Sequence, residues 1–147
     1  MRKSGFPVLF LFIAFAGCQS GARPTVEFRL IAPSPGPDYS IMTMKDSGEA
    51  FYVHNETLLS QSDIDSAAVI LSSGYPLIEF VFTPDGKRRL ERVTTENVGK
   101  RFAMVIDGEL VSAPLVQTPI AEGRLVIAGR YTLEEAHQIA LGINRSR

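Results

Sequence analysis

Short runs in which apolar and polar residues alternate predict strands at 25–32, 40–44, 50–54, 67–71, 77–83, 102–106, 109–113 and 124–128. In the 77–83 run the alternation places Ile78, Phe80 and Phe82 on one face, and these three are assigned to the core. The period lengthens to three or four residues in two stretches, which predicts helices. The first starts at Thr83-Pro84-Asp85, a capping hydroxyl followed by a proline and an acid at the positive end of the dipole. It is expected to run to about Val98, burying Leu90, Val93 and Val98, with Gly99 left-handed at its end. The second starts at Thr132, whose partner Glu135 three residues on makes a capping box, and its stripe is Leu133, Ala136, Ile139, Ala140 and Ile143.

Turn chemistry separates these elements. Pro33-Ser34-Pro35-Gly36-Pro37 stops the first strand, because proline cannot donate to a ladder. Asp46-Ser47-Gly48 and Gly74-Tyr75-Pro76 are expected to reverse the chain, and 60–66 reads as a short helical turn with Asp63 and Asp65 as its opening acids. Pro114 and Pro119 bracket a loop, and Gly129 permits a turn. The predicted fold class is α+β: a mostly antiparallel sheet with two principal helices packed on one face.

Asp107-Gly108 between two apolar runs predicts a hairpin with a two-residue turn, pairing Val105 with Leu110 and Met104 with Val111 on opposite faces. Both faces are partly apolar. Either the hairpin is central and covered on both sides, or one side presents an apolar strip, in which case Val105 and Leu110 are the candidate polypeptide contacts.

The first helix carries Lys87, Arg88, Arg89 and Arg92 on its outer side, with Glu91 and Glu96 four residues beyond Lys87 and Arg92. The structural reading is a solvated face with intrahelical ion pairs of a few tenths of a kcal/mol each. The functional reading is a docking surface for acidic lipids or partners.

The amino terminus has its own pattern. Arg2 and Lys3 precede an apolar run from Phe6 to Ala16, about half the roughly 20 residues that a membrane-spanning helix needs. Ala16-Gly17 then lead to Cys18, the one cysteine of the chain. Residues 1–17 read as a lipoprotein signal peptide and Cys18 as the lipidation site, with Phe15 a departure from the aliphatic residue usual there. Residues 18–24 form the lipidated cysteine and a polar tether reaching about 20 Å. Residues 25–147 are the folded domain. Two or three acyl chains at about 0.8 kcal/mol per buried methylene anchor such a domain stably. Gln19, in place of an aspartate, points to the outer membrane facing the periplasm in a Gram-negative envelope.

Loss of residues 1–17 removes Arg2 and Lys3 and leaves 13 basic against 16 acidic side chains, a formal charge of −3. An acidic domain without a basic stripe beyond one helix argues against nucleic acid. With Cys18 acylated no disulfide forms. No phosphate-binding loop, nucleophile elbow or metal-ligand spacing is present, and His54 and His137 stand far apart in sequence, so neither a cofactor, a metal site nor a catalytic residue is expected.

One long run then bears on identity. Asn97-Val98-Gly99-Lys100-Arg101, Asp107-Gly108, Ser112-Ala113-Pro114, Pro119-Ile120 with Gly123, Gly129, and Thr132-Leu133-Glu134-Glu135-Ala136 follow one another in an order and spacing that resembles the head of the first periplasmic domain of SecD, a subunit assisting protein export. Val26-Glu27-Phe28-Arg29-Leu30, Ser62-Asp63-Ile64 and the passage from Phe80 to Glu96 extend the likeness upstream. The resemblance implies the head fold and the task of holding segments of a translocating chain. It implies no proton-driven motion, because a lipid-anchored domain has no intramembrane carboxylates. The expectation is a noncatalytic envelope lipoprotein, anchored to membrane lipid through its acylated cysteine, that binds unfolded or translocating polypeptide beside Sec translocon components. The alternative is an interaction module that docks one folded envelope partner without an export role.

Overall fold

The computed structural model describes residues 24–145. The expected leader, Cys18 and all of the tether but Pro24 lie outside that range.

The architecture is α+β with antiparallel pairing and two principal helices, as expected, but the strands divide into two sheets, not one. Strands β1 (Val26–Ala32), β2 (Tyr39–Thr43), β3 (Ala50–His54), β4 (Leu59–Ser60), β7 (Phe102–Ile106) and β8 (Glu109–Ser112) form the larger one, in the order β2-β3-β1-β7-β8, with β4 beside β1. Strands β5 (Ile64–Ser72), β6 (Tyr75–Phe82) and β9 (Arg124–Ala128) form the smaller, with β6 in the middle. Helix α1 (Pro84–Glu96) leads from the smaller sheet back to the larger, and α2 (Leu133–Asn144) packs along β5 and β6.

The main core lies between the sheets and takes Leu90 and Val93 from α1 and Ala136, Ala140 and Ile143 from α2, so both helices share the side of the smaller sheet marked by Ile78, Phe80 and Phe82. Phe28 joins the layers, its ring edge-on to Phe80 at 6.4 Å and tilted against Phe82 at 5.9 Å. Each such fully buried side chain contributes about 1.5–3 kcal/mol relative to exposure.

β7 is buried along its whole length because its two faces serve different cores. Phe102, Met104 and Ile106 face the main one, whereas Ala103 and Val105 join Val53 and Leu110 in a second. The larger sheet curls around this second cluster until the end of β2 returns to β8, where the Lys45 N–H donates to the Leu110 carbonyl at 3.0 Å. Of the two readings open for the hairpin, the covered one holds.

Asp107 (φ 50°) and Gly108 (φ 81°) make the tight turn with both central residues left-handed, matching the twist of the flanking strands. Val105 pairs with Leu110 as expected, but a bulge shifts the register and Met104 faces Ser112, not Val111. A second left-handed pair, Ser73 and Gly74, turns β5 into β6, so Tyr75 and Pro76 belong to the strand and not to the turn. Pro76 is tolerated because β6 runs past the end of β9 there, and no ladder donor is missed.

α1 stops two residues short of its expected end. The Asn97 side-chain amide donates to the Val93 carbonyl and Gly99 turns the chain (φ 84°), leaving Val98 49% exposed instead of buried. Leu133 is also exposed, at the first position of α2, beyond the part of the stripe that reaches the sheet. The ion pairs on α1 are Arg88 with Asp85 and Arg89 with the buried Asp63 (2.8 Å), so the charges reach back to the helix start and across to the turn Gln61–Asp63. Gly86 sits against the Asp63 carbonyl so closely that any side chain there would collide with it. Among the described residues no helix is long and apolar enough to cross a membrane.

Candidate functional site

At one end the main core is left open. Three local devices build the opening. First, Thr94, buried inside α1, donates its hydroxyl to the Leu90 carbonyl (2.7 Å) and accepts the Ile120 N–H (2.9 Å), pinning the far end of the loop between the two prolines. Second, the segment after α1 extends the β7–β8 ladder: Gly99 donates to Val116, Val116 to Lys100 and Phe102 to Pro114, at 2.8–2.9 Å. Third, the Arg101 guanidinium donates to the Ala113 carbonyl at 2.8 Å. The loop is thereby held off the smaller sheet as a wall.

Between this wall and β9 runs a groove of about 290 Å³. Phe28, Phe102 and Met104 form its floor, Leu125 and Ile127 of β9 one side, and Leu115, Val116 and Ile120 the other. Thr94, Gln117 and Thr118 are its polar residues and no charged side chain lines it. Leu115 stands 48% exposed at the rim. Among the described residues no Asp, Glu, His, Cys, Lys or Arg lines it, and its hydroxyls are those of Thr94 and Thr118. What it offers is shallow apolar contact.

Val105 and Leu110, the contacts proposed from sequence, are each 1% exposed inside the second cluster. As surface contacts they are corrected by the curl of β2 and β3 over them, which the local pattern does not encode. Cys18 lies outside the described residues. His54 packs edge-on against Tyr39 (4.8 Å) and accepts the Glu56 N–H on Nδ1, while His137 is exposed on α2, so the fold gives the two histidines separate settings. Asp63 caps its turn by accepting the Ser60 N–H and pairs with Arg89, as a helix-start acid should.

A second cleft, about 270 Å³, lies between the β7–β8 turn and the start of α2. Each of its charged groups has a partner: Asp107 accepts from Thr25 and Glu134 from Gln138. Lys45 pairs with Glu109 at 3.0 Å, and that hydrogen bond and charge raise its pKa above the ordinary value. Glu135 accepts from the backbone and hydroxyl of Thr132, which lowers its own. Burial, reinforced by Asp46 and Glu135, raises that of Tyr131.

Comparison with known proteins agrees with the geometry. The sequence model for the "SecDF, P1 head subdomain" matches residues 39–146. The chain is 42% identical over 85 residues to the protein translocase subunit SecDF of Thermus thermophilus, covering 57% of this chain and 12% of that one. It is 34% identical over 107 residues to the protein translocase subunit SecD of Magnetococcus marinus, covering 70% and 20%. A solved structure of SecDF in a super-membrane-facing form superposes with a TM-score of 0.69 at 27% identity, over 83% of this chain and 19% of that chain. A second, from work on SecDF as a membrane component that enhances protein export, gives 0.67 at 27% identity, over 83% and 62%. The chain thus spans roughly an eighth to a fifth of the two full-length relatives.

Proposed function

Since this chain belongs to the SecDF P1 head subdomain family, we propose that it is a noncatalytic, lipid-anchored envelope protein that holds extended polypeptide in the groove beside β9, as an accessory to Sec-dependent export. The observation that carries this reading is an apolar, uncharged groove left open on a domain whose other apolar cluster is sealed. Two full-length relatives bear the name protein translocase subunit, which supports a client that is a polypeptide in transit. A sequence-tolerant grip suits such a client, because many different segments must enter and leave.

The anchor rests on Cys18 and the apolar run before it. Mass measurement of the membrane-extracted protein tests it: cleavage before Cys18 and addition of acyl chains are expected, and an unmodified Cys18 overturns the anchor.

The groove is tested with full-length protein in detergent and a fluorescent, end-capped peptide of about eight residues alternating valine and threonine. Binding in the micromolar range is expected. Leu115→Asp, at a half-exposed rim position, is expected to weaken it about tenfold while leaving the fold unchanged. Equal binding by both proteins overturns the groove as the site.

One observation favours the rival reading, docking of a folded envelope partner. The outer face of the smaller sheet exposes Ile70, Tyr75 and Val126, and among the described residues no element packs over them. Capture of a single folded partner that Val126→Asp abolishes, with no affinity for the peptide, would establish that reading instead.

A further inference from the structure

The groove has a free strand edge as one of its sides. In an antiparallel ladder successive residues direct their main-chain groups to opposite neighbours. The Phe82 N–H donates to the Gly123 carbonyl at 2.9 Å, and the register that sets Phe80 against Leu125 and Ile78 against Ile127 continues the same set. Leu125 and Ile127 therefore bond to β6. Arg124, Val126 and Ala128 direct their N–H and C=O groups away from it, and among the described residues these main-chain groups have no hydrogen-bond partner.

The other edges are treated differently. On β5 the outward-directed residue Ala67 is clasped by Asn144, whose side chain accepts the Ala67 N–H and donates to the Ala67 carbonyl, both at 2.9 Å. An amide thus stands where an incoming strand would begin. The larger sheet closes on itself where Lys45 meets Leu110. Among the described residues β9 joins an open edge to an apolar groove, because its inward residues Leu125 and Ile127 line that groove.

We propose that a client polypeptide is taken as an added strand on β9. Its alternate side chains would lie beside Leu125 and Ile127 and enter the groove toward Phe102 and Met104, and the others would lie beside Val126 on the outer face. The class of ligand follows. It is an extended segment with free backbone amides and uncharged, apolar side chains at every second position, and its sequence is otherwise unrestricted. This deepens the groove reading and depends on it.

The test uses the full-length chain and the alternating valine–threonine peptide. Val126→Pro removes the central outward donor at a position whose N–H bonds to no strand, which is where an edge tolerates proline. It is expected to keep its unfolding midpoint and lose about tenfold in peptide affinity. As a measurement independent of any variant, two peptides carrying N-methyl groups on one or the other alternate set of amides are titrated against the unaltered protein. Loss of about tenfold is expected for at least one set. If the peptide binds, responds to Leu115→Asp, and is indifferent to both Val126→Pro and methylation, strand addition is overturned while the groove stands. If the parent peptide does not bind at all, the groove reading falls with it. Self-association through β9, released by Val126→Pro and with no peptide binding, overturns both in favour of a second copy of the chain.

Discussion

The two apolar clusters that share β7 differ in one respect: the second is closed and the first is not. Ala103 and Val105 on one face look toward a sheet that has curled until β2 meets β8, whereas Phe102 and Met104 on the other look toward a layer that ends at β9 and leaves a groove. The side chains on both faces are apolar, and the larger ones, Phe102, Met104 and Ile106, face the side that stays open. Apolarity of the middle strand alone therefore does not decide closure; how far the neighbouring strands reach does. The groove is an unfinished core, and its walls are held by hydrogen bonds instead of by more packing.

The sharpest way to break the comparison is to place one charge on each side. Val105→Asp puts an unpaired carboxylate into the sealed cluster and is expected to cost at least about 4 kcal/mol, enough to unfold most of the population in a denaturant titration. Leu115→Asp at the groove rim should leave the midpoint within about 0.5 kcal/mol. If the two substitutions prove equally costly, the groove is not open in solution.

A smaller effect is expected where the open side is held in shape. Thr94→Val keeps the volume of a fully buried side chain but removes the acceptor for the Ile120 N–H. A loss of about 1–2 kcal/mol is expected, together with faster hydrogen exchange at the Ile120 amide and weaker peptide binding. Unchanged exchange at Ile120 would show that the wall is held by its other end, through Gly99, Lys100 and Val116.

What was legible in the sequence follows the same division. β3, β7 and β9 have the bounds that alternation predicts, and the Asp107-Gly108 turn sets the Val105–Leu110 pair, because strand period and turn type are local. The capping box at Thr132 and Glu135 is present for the same reason. Val98 and Leu133 were misplaced because a hydrophobic stripe carries no mark of where the sheet beneath it stops. The bulge after Met104 lies beside Leu110, which also meets the sequence-distant Lys45, and the groove joins Phe28 near one end of the chain to Ile127 near the other. Pro114 and Pro119 announced a loop, but no local signal says which gap that loop borders.

The seam that closes the second cluster offers the smallest effect and a pH signature. Lys45 and Glu109 pair at 3.0 Å where β2 returns to β8, and their side chains are 47% and 60% exposed. Solvent screening therefore limits the pair to a few tenths of a kcal/mol. Glu109→Gln should reduce stability by no more than that at neutral pH, since the backbone bond from Lys45 to Leu110 remains. The hydrogen bond and charge of Glu109 raise the Lys45 pKa above 10.5. A raised cation is stabilised by folding while both states are protonated. The contribution is thus whole below about 10.5 and is lost as pH rises through the folded value. The difference between Glu109→Gln and the parent should accordingly shrink to nothing in strongly alkaline unfolding titrations. A gap that persists there would mean the carboxylate acts on the seam through something other than Lys45, and that the backbone bond alone does not keep the curl shut.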